Sequence, residues 1–386
     1  QLSLKTQKVK DVIERIGHQN PELVKPALGP KEPWAYRNKM QMPVGGTKGS
    51  IQMGFYAMGS HDIVQGTNCP IQDEGNNIIA QACYQIAKEF DIEPYDEHTG
   101  KGVLRHVIGR IGQSGWMIIL VTATDHLPHQ EKWVEKLTEC IPQVETIVHN
   151  VNNKRTNVIL GPKNHIIYGD GTITDHIKDL RFTLSPHSFF QVNPEQTTVL
   201  YDQALGYADL KGDETVIDAY CGTGTISLFL AHKAKHVIGI EIVEPAIINA
   251  RENARHNGYD NTEFIVADAA VEMPKLYKAG VRPDVIVFDP IRAGCKEEVL
   301  TSAAGMEPKR IVYVSCNPAT MARDIEILTH YGYELQEVQP VDMFPMTAHV
   351  EAVALLSKLN VDKHIDVEIK LDELDLASAG SKATYT

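Results

Sequence analysis

The chain has 386 residues, 43% of them apolar and 23% charged, an ordinary globular composition with room for two domains. It contains no run of about 18 apolar residues, which excludes a helical membrane span. A net charge of −13 excludes a wholly basic nucleic-acid surface, though not a local basic groove.

The first residues, QLSLKTQKVKDVIERI, are amphipathic and charged and carry no signal-peptide core. They open on Gln1, as a trimmed piece of a longer protein does. Six scattered cysteines (69, 83, 140, 221, 295, 316) show neither disulfide nor metal spacing, which implies a reducing, cytoplasmic setting and no metal site. Lys5 to Ile16 is expected to be helical, with Gly17 as its stop. Pro21 to Pro33 is a proline-rich connector. From Trp34 to about Ile63 short strands alternate with glycine, and Gly45-Gly46 is expected to form a hairpin turn.

Arg37, Lys39 and Lys48 are interleaved there with Trp34, Tyr36, Phe55 and Tyr56. Cations for phosphate and aromatics for exposed bases suit RNA. An amphipathic sheet with a solvated face is the plainer alternative. Ile78 to Phe90 reads as a helix. Arg105 to Ile108, Trp116 to Thr122 and Thr146 to Asn152 read as strands, with a helix near Gln130 to Thr138. This order predicts an α+β domain with an antiparallel sheet over residues 1–178, its first helix free to pack on the next domain.

Residues 179–358 change to alternating strands and helices. Helices are expected over Pro194 to Asp209, Thr225 to Ala234, Pro245 to Asn257, near Lys296 to Ala304, and over Thr320 to Thr329. Strands are expected over Thr215 to Tyr220, His236 to Glu241, Glu263 to Val266, Asp284 to Phe288 and Ile311 to Val314. A closing pair follows at Gln336 to Phe344 and Val350 to Leu356. Repeated βα units of this length indicate a doubly wound, Rossmann-like parallel sheet. Residues 359–386 read as a polar tail.

The first of these strands runs into Asp218-Ala219-Tyr220-Cys221-Gly222-Thr223-Gly224-Thr225. The glycines let the backbone turn tightly and approach a ligand at the helix amino terminus, and Glu241 ends the next strand where ribose hydroxyls can be bound. Ser227 stands where a dinucleotide fingerprint has its third glycine, and no lysine follows, which excludes a phosphate-binding P-loop. S-adenosylmethionine, with ribose and adenine but no phosphate, fits better. Asp218 and Asp268 add acids at strand ends, although each alone can be a helix cap or a solvated loop residue.

Ile311 to Val314 has the β-branched content of a buried strand. Pro318 forces it to end, leaving Cys316 at a carboxyl edge where open α/β sheets place chemistry. The alternative for a free cysteine is a small buried hydrophobe.

Five motifs converge in this half: SFFQVNPEQ, DAYCGTGT, DPIRAGC, VSCNPATMARD and HVE. Together they resemble the RNA (uracil-5-)-methyltransferases, which make 5-methyluridine in ribosomal and transfer RNA. PWAYRNK and SHDIVQGTNCPIQ extend the resemblance more loosely, in the style of the 23S ribosomal RNA branch. The resemblance implies Cys316 as nucleophile, Glu351 as general base, and Asp289 beside the target base, with Arg292 completing its D-P-x-R motif. It also implies Gln191, Tyr220, Thr225, Glu241 and Asp268 for S-adenosyl-L-methionine; Asp218, Gly222, Gly224 and Asp289 join that set.

Ile291 departs from the proline common at x. Cys69 matches the last cysteine of the iron–sulfur cluster found in many members, and one thiolate cannot hold a cluster, so no complete iron–sulfur site is expected in this chain. Arg292 or Arg323 is expected to balance charge or bind phosphate, beside Arg37 and Lys39. The expected partner is RNA, most specifically a 23S loop, read by a monomer.

The chemistry explains the residues. Carbon 5 of uracil is a poor nucleophile, and a thiolate adding to carbon 6 makes it enolate-like. Cysteine is nucleophilic and can leave again. A base must then take the carbon 5 proton, and the target must be looped out or flipped. Transfer-RNA uracil methylation and a non-catalytic RNA-binding or assembly factor are the alternatives. A DNA cytosine-5 enzyme expects Pro-Cys where this chain has Ser315-Cys316, and an amino-group methyltransferase expects a second proline where it has Ile291.

Overall fold

Residues 1–359, described by a computed structural model, build two seven-stranded sheets and a two-stranded hairpin. The tail expected from residue 359 lies, from 360 on, outside the described residues.

Helix α1 (Leu2–Arg15) opens the chain. The first sheet holds β1 (Lys39–Thr47), β2 (Ser50–Tyr56), β3 (Ile63–Gln65), β4 (Leu104–Ile111), β5 (Trp116–Thr122), β6 (Val144–Val151) and β7 (Lys163–Tyr168), in the order β3-β2-β1-β4-β5-β6-β7. Helices α2 (Glu74–Glu89) and α3 (Gln130–Cys140) cover one face. Met40, Met42 and Val44 of β1 point into that layer at every second residue, as a half-buried strand requires.

The expected antiparallel sheet holds except at one pair, where it is corrected. β5 and β6 run parallel, with α3 as their crossover, and β5 is buried along nearly its whole length, as a parallel strand covered on both faces must be. The Gly45-Gly46 turn is corrected too. Both glycines pair within β1, with Gln52 and Ile51, and the chain reverses at Lys48-Gly49. Gly46 has φ +89, and a Cβ there would stand 2.3 Å from the Ser50 carbonyl oxygen, so glycine serves a close approach inside the hairpin.

β8 (Ile173–Ile177) and β9 (Leu180–Leu184) form the small hairpin, which the sequence reading did not assign. Its Ile173, Ile177, Phe182 and Leu184 join one core with Ile108, Ile119 and Val148 of the first sheet and Leu200 and Val312 of the second body.

That second body runs α4 (Pro194–Ala208), β10 (Thr215–Ala219), α5 (Thr225–Ala231), β11 (His236–Glu241), α6 (Glu244–His256), β12 (Thr262–Val266), α7 (Ala269–Lys278), β13 (Val285–Phe288), α8 (Glu297–Gly305), β14 (Arg310–Ser315), α9 (Pro318–His330), β15 (Tyr333–Val341) and β16 (Glu351–Lys358). The strand order is β12-β11-β10-β13-β14-β16-β15. The first five are parallel, and β16 runs antiparallel to both neighbours. The order reverses between β10 and β13, the switch point at which such sheets bind ligands beyond the carboxyl ends.

The chain's start packs on this second sheet. Val9, Ile13 and Val24 share a core with Ile325, Leu328 and Val338, and Val24 and Leu28 bridge to β15. Lys5 and Asp342, both buried, form an ion pair, and Lys5 Nζ also donates to the Phe344 carbonyl at 3.0 Å.

Candidate active site

β14 delivers Cys316. Ile311, Val312, Tyr313 and Val314 are fully buried, each such side chain contributing roughly 1.5–3 kcal/mol of burial. The strand then turns sharply into α9. Asn317 N donates to Ser315 Oγ at 3.0 Å, the Asn317 side chain caps the helix through Ala319 N at 3.3 Å, and Pro318 occupies the first helical position. Cys316 sits half-buried in that turn.

The antiparallel register of β14 and β16 pairs Ser315 with Ala352. One further step sets Cys316 opposite Glu351. Glu351 is 4% exposed, and burial pushes its carboxyl up to about 7, against the pull of the Arg292 guanidinium. Asp289, at the end of β13, is driven well above the usual carboxylate range by burial and by the charges of Glu351 and Asp218. The Cys316 thiol is likewise raised by burial and then by Glu351 and Asp289, with Arg292 opposing. Burial and mutual charge thus raise Cys316, Glu351 and Asp289 together, and the Arg292 guanidinium opposes the rise at Cys316 and Glu351.

The two arginines differ. Arg323 is committed to the 289–295 loop: it bonds Asp324 and donates to the Ala293 and Cys295 carbonyls at 3.0 and 3.3 Å. Arg292 is the cation whose charge reaches Cys316 and Glu351. Its own carbonyl accepts from Asn317 Nδ2 at 3.0 Å and Thr320 Oγ1 at 3.3 Å, pinning the loop to α9. Ile291 is 77% exposed, so its side chain projects from the loop and is not packed into the core.

The glycine turn lies between β10 and α5. Tyr220, Gly222 and Gly224 all have positive φ (+74, +56 and +80), and the Tyr220 and Cys221 amides both donate to the Ile240 carbonyl at 2.9 Å. A Cβ on Gly222 would meet nothing within 4 Å, so its backbone faces open space. Glu241 is held at the end of β11 by Gly222 N at 3.2 Å and Val243 N at 2.9 Å. Asp268, beyond β12, caps α7 through Ala270 N and accepts from Lys296 Nζ, each at 2.9 Å. An open turn, a half-buried carboxylate beside it and no cation in the turn suit a ribose-bearing, phosphate-free cofactor.

Asp218 stands apart from this surface. It is fully buried and accepts from Ser227 Oγ, while its Oδ1 has no partner. It braces the turn from beneath, which accounts for a serine in the third glycine's place. Gln191 lies buried in the 185–193 loop. That loop is tied to the turn by Thr223 Oγ1, which donates to the Phe189 carbonyl at 3.4 Å, and to the β15–β16 connection by Asn193 Nδ2, which donates to Met343 O at 3.1 Å. Lys39 begins β1 and Arg37 lies just before it, in a stretch where Asn38 N donates to Val192 O at 2.9 Å and Tyr36 Oη to Pro345 O at 3.0 Å.

Two neighbours escaped the sequence reading. Phe189 is 69% exposed next to the glycine turn, a position whose only signal is an aromatic in a loop. Tyr201 is buried under the acids, its hydroxyl 3.2 Å from Thr225 Oγ1; burial, Asp289 and Glu351 together raise its pKa far above the ordinary phenol value. A hydroxyl on the sheet-facing side of α4 was the available clue.

A family model described as tRNA (uracil-5-)-methyltransferase matches residues 116–359, more than half the chain. The chain belongs to this family. It is an RNA methyltransferase, and its second body has the Rossmann-like fold of S-adenosyl-L-methionine-dependent methyltransferases. An RNA methyltransferase of Halalkalibacterium halodurans is 52% identical over 362 residues, covering 93% of this chain and 79% of the relative. One from Bacillus cereus is 51% identical over 361 residues, covering 93% and 78%. The crystal structure of the Pyrococcus abyssi tRNA (uracil-54, C5)-methyltransferase, in complex with S-adenosyl-L-homocysteine, superposes with a TM-score of 0.76 at 27% identity, over 92% of this chain and 83% of that one.

Proposed function

We propose that this RNA methyltransferase methylates carbon 5 of specific uridines in 23S ribosomal RNA through a transient bond between Cys316 and uracil carbon 6. The observation that supports the reading is the β14–β16 register, whose last pair, Ser315 with Ala352, leaves the next residues, Cys316 and Glu351, at one rim of the sheet. Gly222, Glu241, Gln191 and Tyr220 are the residues suited to hold S-adenosyl-L-methionine, which supplies the electrophilic methyl group.

The chain's own residues do the rest. Cys316 loses its thiol proton to solvent and adds to carbon 6 as the thiolate, pushing electrons toward carbon 5 and the uracil oxygen, while Glu351 stays ionised for the later proton removal. Arg292 balances that developing charge. Asp289, its carboxyl raised by burial, can hydrogen-bond the uracil edge and so favour uracil over cytosine. Once carbon 5 carries its methyl group, Glu351 removes the carbon 5 proton, and elimination breaks the carbon 6–sulfur bond. A base with a pKa of about 7 is matched to that step near neutral pH, and a positioned base contributes roughly 10²–10⁴-fold.

The 23S assignment rests on the character of the N-terminal text, PWAYRNK and SHDIVQGTNCPIQ. Tritium release from RNA carrying 5-³H-uridine tests the reaction, run in parallel on 23S ribosomal RNA and on tRNA. Release from the ribosomal RNA is expected. Release from tRNA alone moves the substrate to the alternative, and release from neither, with methyl transfer intact, refutes carbon 5 as the target.

A further inference from the structure

Three cations occupy the face of the first sheet that looks toward the catalytic body. Lys39 and Arg110 are direct partners across the β1–β4 ladder, so their side chains leave the same face. Arg37 lies just before the strand, in an isolated bridge to Gln72, close enough for its charge to act on Lys39. Ile108 marks the face, because it shares a core with Phe190 and Leu200 of the catalytic body.

Like charges directly opposed across an antiparallel pair are destabilising, and burial makes them more so. Arg110 is 3% exposed. Its Nη2 donates to the Ser188 carbonyl at 2.7 Å, while its Nη1 is buried without a partner. One carboxylate, Asp175, lies near, and it is itself buried and engaged by Asn38 Nδ2 at 3.4 Å and His176 N at 2.8 Å. Burial, followed by the charges of Arg110 and Arg37, brings the Lys39 ammonium down to about 7. In a chain of net charge −13, this is a local excess of positive charge without enough counter-charge.

The row also adjoins the reaction site. Asn38, between Arg37 and Lys39, bonds Val192 next to Gln191, and Tyr36 bonds Pro345 in the connection that leads to Glu351.

We propose that Arg37 and Lys39, backed by the buried charge of Arg110, form a phosphodiester subsite at the seam between the two sheets, which grips the RNA backbone beside the target nucleotide. Arg37 and Lys39 are half-buried and reach the anion; Arg110 charges the floor behind them and ties it to the 185–193 loop. Such contacts position the strand and carry no sequence information. The proposal rests on the RNA-methylating reading above.

The test is binding of oligouridylate to the full chain across a salt series, with S-adenosylhomocysteine binding as the check on the catalytic body. Lys39→Met is expected to weaken oligouridylate binding about 5–10-fold at low salt and to lower the slope of log affinity against log salt by about 0.7, the value for one lost phosphate contact on a single strand. Arg37→Met is expected to do the same. S-adenosylhomocysteine affinity should stay unchanged in both, and Lys132→Met, exposed on α3 over the opposite face of that sheet, should leave affinity and slope alone. Wild-type affinity and slope in Lys39→Met and Arg37→Met would overturn the subsite. A loss equalled by Lys132→Met would also overturn it, showing diffuse charge instead. Tritium release with an unaltered slope refutes the subsite alone, whereas a Lys39-dependent slope without tritium release refutes the reaction and leaves the subsite standing.

Discussion

Glu351→Gln tests the proposed catalytic base and the electrostatics around it in one protein. The folded environment moves the Glu351 carboxyl from 4.5 to about 7, with burial as the main cause. A carboxyl whose pKa is raised on folding favours the protonated state, so stability is full below about 4.5 and is lost as the pH rises through about 7. At about 1.4 kcal/mol per tenfold change in proton affinity, the penalty at pH 8 reaches about 3 kcal/mol, and it falls below about 1 kcal/mol at pH 5. Glutamine keeps the shape of the neutral acid at every pH. Urea unfolding should therefore find Glu351→Gln more stable than wild type by up to about 3 kcal/mol at pH 8, and nearly equal to it at pH 5. The same variant should lose turnover and accumulate an RNA–protein adduct, seen as a retarded band on a denaturing gel. Equal stability at pH 8 would show that the carboxyl is not desolvated as described, and normal turnover would remove it from the chemistry.

Cys316→Ala should bind RNA and S-adenosylhomocysteine like wild type, release no tritium, and abolish the adduct band in the Glu351→Gln background. Lys5→Met leaves the Asp342 carboxylate buried and unpaired and should cost about 3–5 kcal/mol in urea unfolding; Lys5→Met combined with Asp342→Leu should recover most of that. Gly222→Ala places a methyl group in open space at φ +56. It should cost about 1–2 kcal/mol of backbone strain and weaken S-adenosylhomocysteine binding, measured by calorimetry, more than it lowers the melting temperature.

What could be seen in the sequence was what local pattern determines. His236–Glu241 and the start of α4 at Pro194 follow from apolar runs bounded by turn and cap residues, and Pro318 alone marks where β14 must stop. The elements missed depend on partners distant in sequence or on a misleading local signal. α7 was hidden by Pro274 inside it. The turn at Lys48-Gly49 was masked by two glycines that serve strand contact. The parallel pairing of β5 and β6 is a property of the α3 crossover, which no alternation pattern in either strand reports. At the site, glycines, Glu241 and Cys316 stand out as residue types in context, while Glu351 came from the family resemblance. Tyr201, one of several polar residues on the buried face of α4, and the division of labour between Arg292 and Arg323 needed coordinates.

The reversed direction of β16 has a geometric consequence for the chemistry. In a sheet whose other central strands finish at one rim, a residue that begins a strand ordinarily belongs to the opposite rim. Because β16 runs backwards, its opening residue reaches the rim where β13 and β14 finish. Cys316 and Glu351, the proposed nucleophile and base, separated by a helix and a whole strand of sequence, thus come to the same rim without any loop having to span the molecule.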